Sequence, residues 1–161
     1  MKTTLQNSLL LISALLMVTQ MHSATATQLE AADQAYANGN YHQAVIGYAR
    51  ALQEQPYNLQ IKTRLAASYH YQGQLVPAEK ILLEVLTVDK QYVPALLELG
   101  QIRSQQQNWE AALKLYQRAV SAAPNNAAAQ LGLGNALSQL GDEAGADAAF
   151  ATYRKLTAGQ P

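Results

Sequence analysis

Small and bulky apolar residues recur along this chain with a period of 34. Ala44, Ala78, Ala112 and Ala146 are spaced by that interval, and four places beyond each stands Tyr48, Leu82, Tyr116 or Phe150. Five places before each alanine come Gly39, Gly73, Gln107 and Gly141, and earlier still the pairs Ala31-Ala32, Leu65-Ala66, Leu99-Gly100 and Leu133-Gly134. A step of four places the small and the large residue on one face of a helix. Glycine after a helical run supplies the left-handed residue that ends it. Each repeat therefore predicts a helix, a break at Asn38-Gly39-Asn40 or its equivalent, a second helix and a turn. The second helices open at Tyr41, Leu75, Trp109 and Glu143, the last running to Leu156.

One such hairpin cannot bury its apolar face alone, so neighbouring hairpins must stack into a continuous core. Small residues at 32, 66, 100 and 134 and at 44, 78, 112 and 146 let the paired helices approach, and the large ones at 48, 82, 116 and 150 fill the gap against the next repeat. The last helix is alanine-rich, carrying only Phe150, Tyr153 and Leu156 as large apolar groups. A terminal repeat with one face in water suits that low apolar load.

Leu99-Gly100, Ala112-x3-Tyr116 and Pro124 in the third repeat, and Leu133-Gly134 with Ala146-x3-Phe150 in the fourth, resemble the tetratricopeptide repeat, whose 34-residue pattern is W-x2-L-G-x2-Y, then A-x3-F, then P. Arg103 stands where the family pattern has an aromatic, and Leu96 where Trp is common. The resemblance covers repeats at about 25–58, 59–92, 93–126 and 127–160. It implies an all-α, right-handed solenoid of about eight helices with a concave inner face.

The first 26 residues follow a different pattern. Lys2 precedes an apolar stretch from Leu9 to Val18, and Ala24-Thr25-Ala26 closes the segment with small residues at both ends of a triplet. That is the layout of a secretory signal peptide, cleaved after Ala26 and leaving a domain of 27–161. The stretch falls short of the roughly 20 apolar residues that span a bilayer. The expected location is the bacterial periplasm or beyond, with an uncleaved inner-membrane anchor as the alternative. No cysteine occurs in the 161 residues, which excludes disulfides, thiolate metal sites and a lipidated cysteine.

Eleven basic residues balance eleven acidic ones, without the clustered cations that nucleic-acid binding needs. Catalytic groups do not converge either. His42 and His70 are 28 residues apart at different phases of the repeat, Ser68 and His70 point away from each other on one helix, and Gly132-Leu133-Gly134 reads as close helix packing rather than a dinucleotide loop. Asp142-Glu143 reads as an acidic first turn. The nine tyrosines include Tyr48, Tyr69 and Tyr116 at core positions. No enzymatic activity, metal or cofactor is expected.

In the family that this chain resembles, places 2, 5, 9, 12 and 13 of each repeat line the concave surface. Carried onto this sequence, they give a stripe that includes Leu29, Asp33 and Tyr36, then Thr63, His70 and Tyr71, then Leu97, Gln101, Ser104 and Gln105, then Leu131, Asn135, Ser138 and Gln139. The stripe holds no Lys or Arg and one acid, Asp33, so it does not suit a carboxylate clamp. Leu29, Leu97 and Leu131 offer apolar anchors, with Tyr36 and Tyr71 between them and amides beyond. The expected function is a protein–protein interaction scaffold or assembly co-factor of the cell envelope, holding a peptide or helix of another envelope protein in the groove. No nucleic acid and no stable membrane insertion after cleavage are expected. The alternative is a structural repeat that self-associates through its end surfaces.

Overall fold

The structure, a computed structural model, describes residues 27–158. The expected signal segment 1–26 lies outside the described residues, as do 159–161. All regular structure among the described residues is helical: α1 covers 27–37, α2 Tyr41–Glu54, α3 Leu59–Tyr71, α4 Leu75–Val88, α5 Val93–Gln105, α6 Trp109–Ala122, α7 Ala127–Gln139 and α8 Glu143–Thr157. The second helices of the four repeats open at the four residues that the sequence pattern marks, and α8 runs one residue past Leu156. No helix among the described residues is long and apolar enough to cross a membrane.

The breaks inside the repeats share one backbone device. Gly39 and Asn40 donate to the carbonyls of Tyr36 and Ala35, Gly73 and Gln74 to those of His70 and Tyr69, Gln107 and Asn108 to those of Ser104 and Arg103, and Gly141 and Asp142 to those of Ser138 and Leu137. These paired bonds satisfy the last carbonyls of each first helix and require a left-handed residue at the first donor. Three of those donors are glycines, at φ 74, 77 and 83°; the fourth is Gln107 at φ 59°. The next residue starts the second helix. Asn40, Asn108 and Asp142 each accept, through a side-chain oxygen, the backbone N–H three residues on. Caps of this kind are worth about 1 kcal/mol each.

The chain divides into two compact units, one ending at Asn58 and the other beginning at Leu59. In the first, α1 and α2 form a hairpin. A Cβ at Gly47 would come within 2.6 Å of Ala32 Cβ, so glycine is what allows the two helices their approach. The Tyr48 hydroxyl donates to Asp33 Oδ1 at 2.6 Å across the same hairpin.

In the second unit the hairpins α3–α4, α5–α6 and α7–α8 stack in order. The first helices α3, α5 and α7 pack side by side, while α4 meets α5 and α6 meets α7. Leu82, Leu96, Ile102 and Val85 are fully buried between these layers, and each contributes on the order of 1.5–3 kcal/mol by burial. Tyr116 extends the core toward the last hairpin, packing with Ala112 and Ala136. Its ring lies against both Gly100 on α5 and Gly132 on α7, and Phe150 lies against Gly134. The glycines of the Gly132-Leu133-Gly134 segment thus act as packing surfaces for aromatic rings.

Arg103, the residue in place of an aromatic, is tied across the stack. Its Nη1 and Nη2 donate to Glu79 Oε1 and Oε2 at 2.7 and 2.9 Å, joining α5 to α4, and Gln106 donates to the same carboxylate at 2.7 Å. Burial alone would push the Glu79 carboxyl up, but hydrogen bonds from Arg103 and Gln106 together outweigh it and hold the group below the ordinary carboxylate range.

Candidate functional site

The face built from α3, α5 and α7 collects side chains at i, i+3 and i+4 spacing, which is one stripe of each helix. On α5 this stripe carries Gln101, Ser104 and Gln105; on α7 it carries Asn135, Ser138 and Gln139. Between the two helices lies an open cavity of about 390 Å³, lined by Gln101 and Ser104 from α5, Asn135, Ser138 and Gln139 from α7, Trp109 and Tyr116 from α6, and Phe150 from α8. Five amide or hydroxyl side chains therefore meet three aromatic rings, and no charged side chain lines the space.

The glycines explain why the cavity has aromatic groups. Because Gly100, Gly132 and Gly134 leave the first helices without side chains at these places, the rings of Tyr116 and Phe150 can reach between them. Ser104 donates to the Gly100 carbonyl at 2.9 Å, and its oxygen lies 3.4 Å from the Tyr116 hydroxyl. Burial pushes the Tyr116 hydroxyl above the ordinary tyrosine range, Ser104 opposes this and the Glu98 charge reinforces it. The phenol therefore stays protonated at neutral pH.

A second cluster lies where α3 meets α5. His70 Nε2 is 3.0 Å from Gln105 Oε1, and Nδ1 is 3.5 Å from Glu98 Oε2. The imidazole stacks on Tyr71, with ring centroids 5.2 Å apart and planes 27° apart. Both ring nitrogens thus face oxygen acceptors, an arrangement that favours the doubly protonated ring. The Glu98 hydrogen bond is the largest cause of a pKa raised above 6.5; burial opposes it, and Gln105 and the Glu98 charge support it.

The structure sorts the stripe residues into different roles. Gln101, Asn135 and Gln139 meet at the cavity, together with Ser104 and Ser138. His70, Tyr71 and Gln105 form the second cluster. Leu97 is half-buried and packs on the core, Leu131 is half-buried, and Thr63 is buried with its hydroxyl donated to the Leu59 carbonyl. Thr63 therefore does not lie open on this face, because its place on α3 turns it into the packing. In the first unit, Leu29, Asp33 and Tyr36 are half-buried; Asp33 accepts from Tyr48, and Tyr36 meets Tyr41 edge-on at 5.5 Å.

Glu98 adds a carboxylate beside the stripe, in which Asp33 is the one acid. It is one place outside the family positions, yet its carboxylate reaches His70, and the helix geometry of α5 is the reason: residues 97, 98, 101 and 105 fall on adjoining faces. Trp109, Tyr116 and Phe150 were also absent from the stripe. Position alone reads the last two as core, and the signal that they also reach a cavity is the glycine opposite each. Among the described residues, no group of three or more His, Asp or Glu side chains is placed to hold a metal ion.

Residues 100–141 match the family profile described as "TPR repeat". Among solved structures, a thermophilic TPR protein from Thermus thermophilus is similar at 23% identity and a TM-score of 0.73, over 82% of this chain and 74% of that one. The first TPR of Spaghetti (RPAP3), solved bound to the HSP90 peptide SRMEEVD, is similar at 25% identity and 0.66, over 73% and 93% of the two chains. The Sgt2 TPR domain from Aspergillus fumigatus follows at 24% and 0.68, over 74% and 80%. No curated protein matches the sequence.

Proposed function

We propose that this chain, a member of the tetratricopeptide repeat family, holds an uncharged segment of a partner protein on the face of α3, α5 and α7, with side chains of that segment seated in the cavity between α5 and α7. The fold is that of a protein–protein interaction scaffold. The observation that carries the finer reading is the cavity lining: five neutral hydrogen-bonding side chains over three aromatic rings, without a charge. Such a site rewards backbone and amide groups that pair with Gln101, Asn135 and Gln139, and an apolar side chain that covers Trp109 and Phe150. A carboxylate seated there would lose its hydration with no cation to replace it. The RPAP3 domain was solved with a peptide that carries two glutamates and an aspartate; the neutral lining here favours an uncharged segment instead. The sequence features of residues 1–26 support a place in the bacterial envelope for this scaffold, with a partner that resides there. Nothing in the site is arranged for catalysis, so the reading is of a binder and not an enzyme.

A peptide array with 12-residue segments of graded charge tests this, probed with the wild-type protein and with Asn135→Trp, which fills the cavity from an exposed position. Uncharged peptides retained by the wild type and released by the variant are the expected result. Preference for acidic peptides, or retention indifferent to Asn135→Trp, refutes it.

Self-association through the end surfaces draws on one feature of the first unit. A hollow of about 120 Å³ lined by Ala31, Ile46 and Arg50, among others, leaves Ile46 41% exposed on the α1–α2 hairpin. Sedimentation at tens of micromolar tests it; a monomer there excludes it.

A further inference from the structure

We propose that the proton on His70 sets which end of the Gln105 side-chain amide faces the partner. The groove presents an N–H donor when His70 is protonated and a carbonyl acceptor when it is neutral. The inference rests, for its effect on a partner, on the groove reading above, because Gln105 is an exposed member of the α5 stripe that also carries Gln101 and Ser104.

The argument starts from what a neutral imidazole can do. With both nitrogens protonated, Nδ1–H faces the Glu98 carboxylate and Nε2–H donates to Gln105 Oε1 at 3.0 Å. The Gln105 NH2 group then points away from the ring. Loss of one proton to solvent leaves a single N–H and one lone pair. A carboxylate is a stronger acceptor than an amide oxygen, so the remaining proton stays on Nδ1, facing Glu98. The Nε2 lone pair would then meet the Gln105 oxygen, two acceptors in contact. Rotating the amide by half a turn removes this conflict, with Gln105 Nε2–H donating to the ring and Oε1 turned outward. The two ends of an amide are nearly isosteric, so the reversal needs no change in packing.

The neighbours of His70 leave Glu98 as the charge that decides the tautomer. On α5, Arg103 is bound to Glu79 and does not meet the ring. On α4, which also packs on α3, Glu79 is engaged by Arg103, Glu84 by Lys62, and Lys80 is exposed. Tyr71 on the same helix stacks on the ring face and makes no claim on either ring nitrogen through that contact. From α6, Tyr116 feels Glu98 and is held protonated.

The consequence is selectivity that changes with pH. Below the His70 pKa this point of the groove matches a partner carbonyl, and above it a partner N–H. Nitrogen-15 spectra of the full chain test the reversal without any partner, with Gln105→Ala used to identify the Gln105 amide signal. On raising the pH, the ring is expected to settle in the Nδ1–H tautomer. A scalar coupling between Gln105 Nε2 and His70 Nε2 should appear, and the Gln105 amide proton that bonds the ring should exchange with water more slowly than those of other exposed glutamine amides at the same pH. Glu98→Gln should abolish the Nδ1–H preference and lower the pH of the transition. A neutral ring in the Nε2–H tautomer, or Gln105 amide protons unchanged across the titration of His70, overturns the proposal. Because this measurement uses the free protein, its failure leaves the groove reading standing, and a failed peptide array leaves the reversal standing.

Discussion

Gly132→Ala exposes the packing on which the cavity depends. A Cβ at this place would lie 2.4, 2.6 and 2.7 Å from Cε1, Cδ1 and Cζ of Tyr116, where carbon atoms normally settle at about 3.5–4.0 Å. The ring cannot retreat freely, since it is 4% exposed and Gly100 on α5 already approaches the same edge, its own Cβ position being 2.7 Å from Cε1. Overpacking of a rigid ring costs about 1–3 kcal/mol, and three close atoms place this case toward the upper end. Alanine in a helix offsets about 1 kcal/mol of that relative to glycine. The expected net loss is about 1–2 kcal/mol, equivalent to a fall in Tm of about 3–10 °C in a domain of this size. Thermal melts followed by circular dichroism at 222 nm measure it. A cycle with Tyr116→Leu assigns the cause: in that background Gly132→Ala should be neutral or stabilising by up to about 1 kcal/mol, the helix propensity alone. A Tm that rises for Gly132→Ala with Tyr116 in place, or a coupling below about 0.5 kcal/mol, refutes the close approach of α7 to the ring.

Two further outcomes test the backbone and the electrostatics. Gln107→Gly should stabilise the protein by about 0.5–1 kcal/mol, because an L-residue pays about 1–2 kcal/mol in the left-handed region while glycine adds about 0.4–1 kcal/mol of unfolded-chain entropy; a lower midpoint in urea would contradict this. The raised pKa of His70, caused first by the Glu98 hydrogen bond, makes its contribution to stability complete below pH 6.5 and lost as pH rises through the folded-state value. A Tm profile measured against pH should therefore decline across that window for the wild type and flatten for His70→Gln, and equal slopes for the two proteins would contradict the assignment.

Much of this fold can be read from the sequence, because the signals are local. The starts of α2, α6 and α8 follow from a left-handed residue followed directly by a capping side chain, and that of α4 from left-handed Gly73 without a side-chain cap; these interactions stay inside one hairpin. Even Gln107, which breaks the glycine pattern, takes the left-handed backbone that its phase in the repeat demands. On α5 and α7 the stripe rests on the positions that line the concave face in the family this chain resembles, and helical spacing agrees with it by putting Gln101 with Ser104 and Asn135 with Ser138 and Gln139 on one face.

Tertiary structure decided what those residues face. Thr63 carries a stripe position but is buried, Glu98 lies outside the stripe and yet reaches His70, and Tyr116 serves both the core and the cavity. Periodicity assigns a side chain to an angular sector of its helix, whereas its partner depends on how far neighbouring helices approach. Here that distance is set by glycines on α5 and α7 against rings from α6 and α8. A repeat pattern in sequence therefore determines the helices and their phase, and contact across helices, governed by side-chain volume, determines the site.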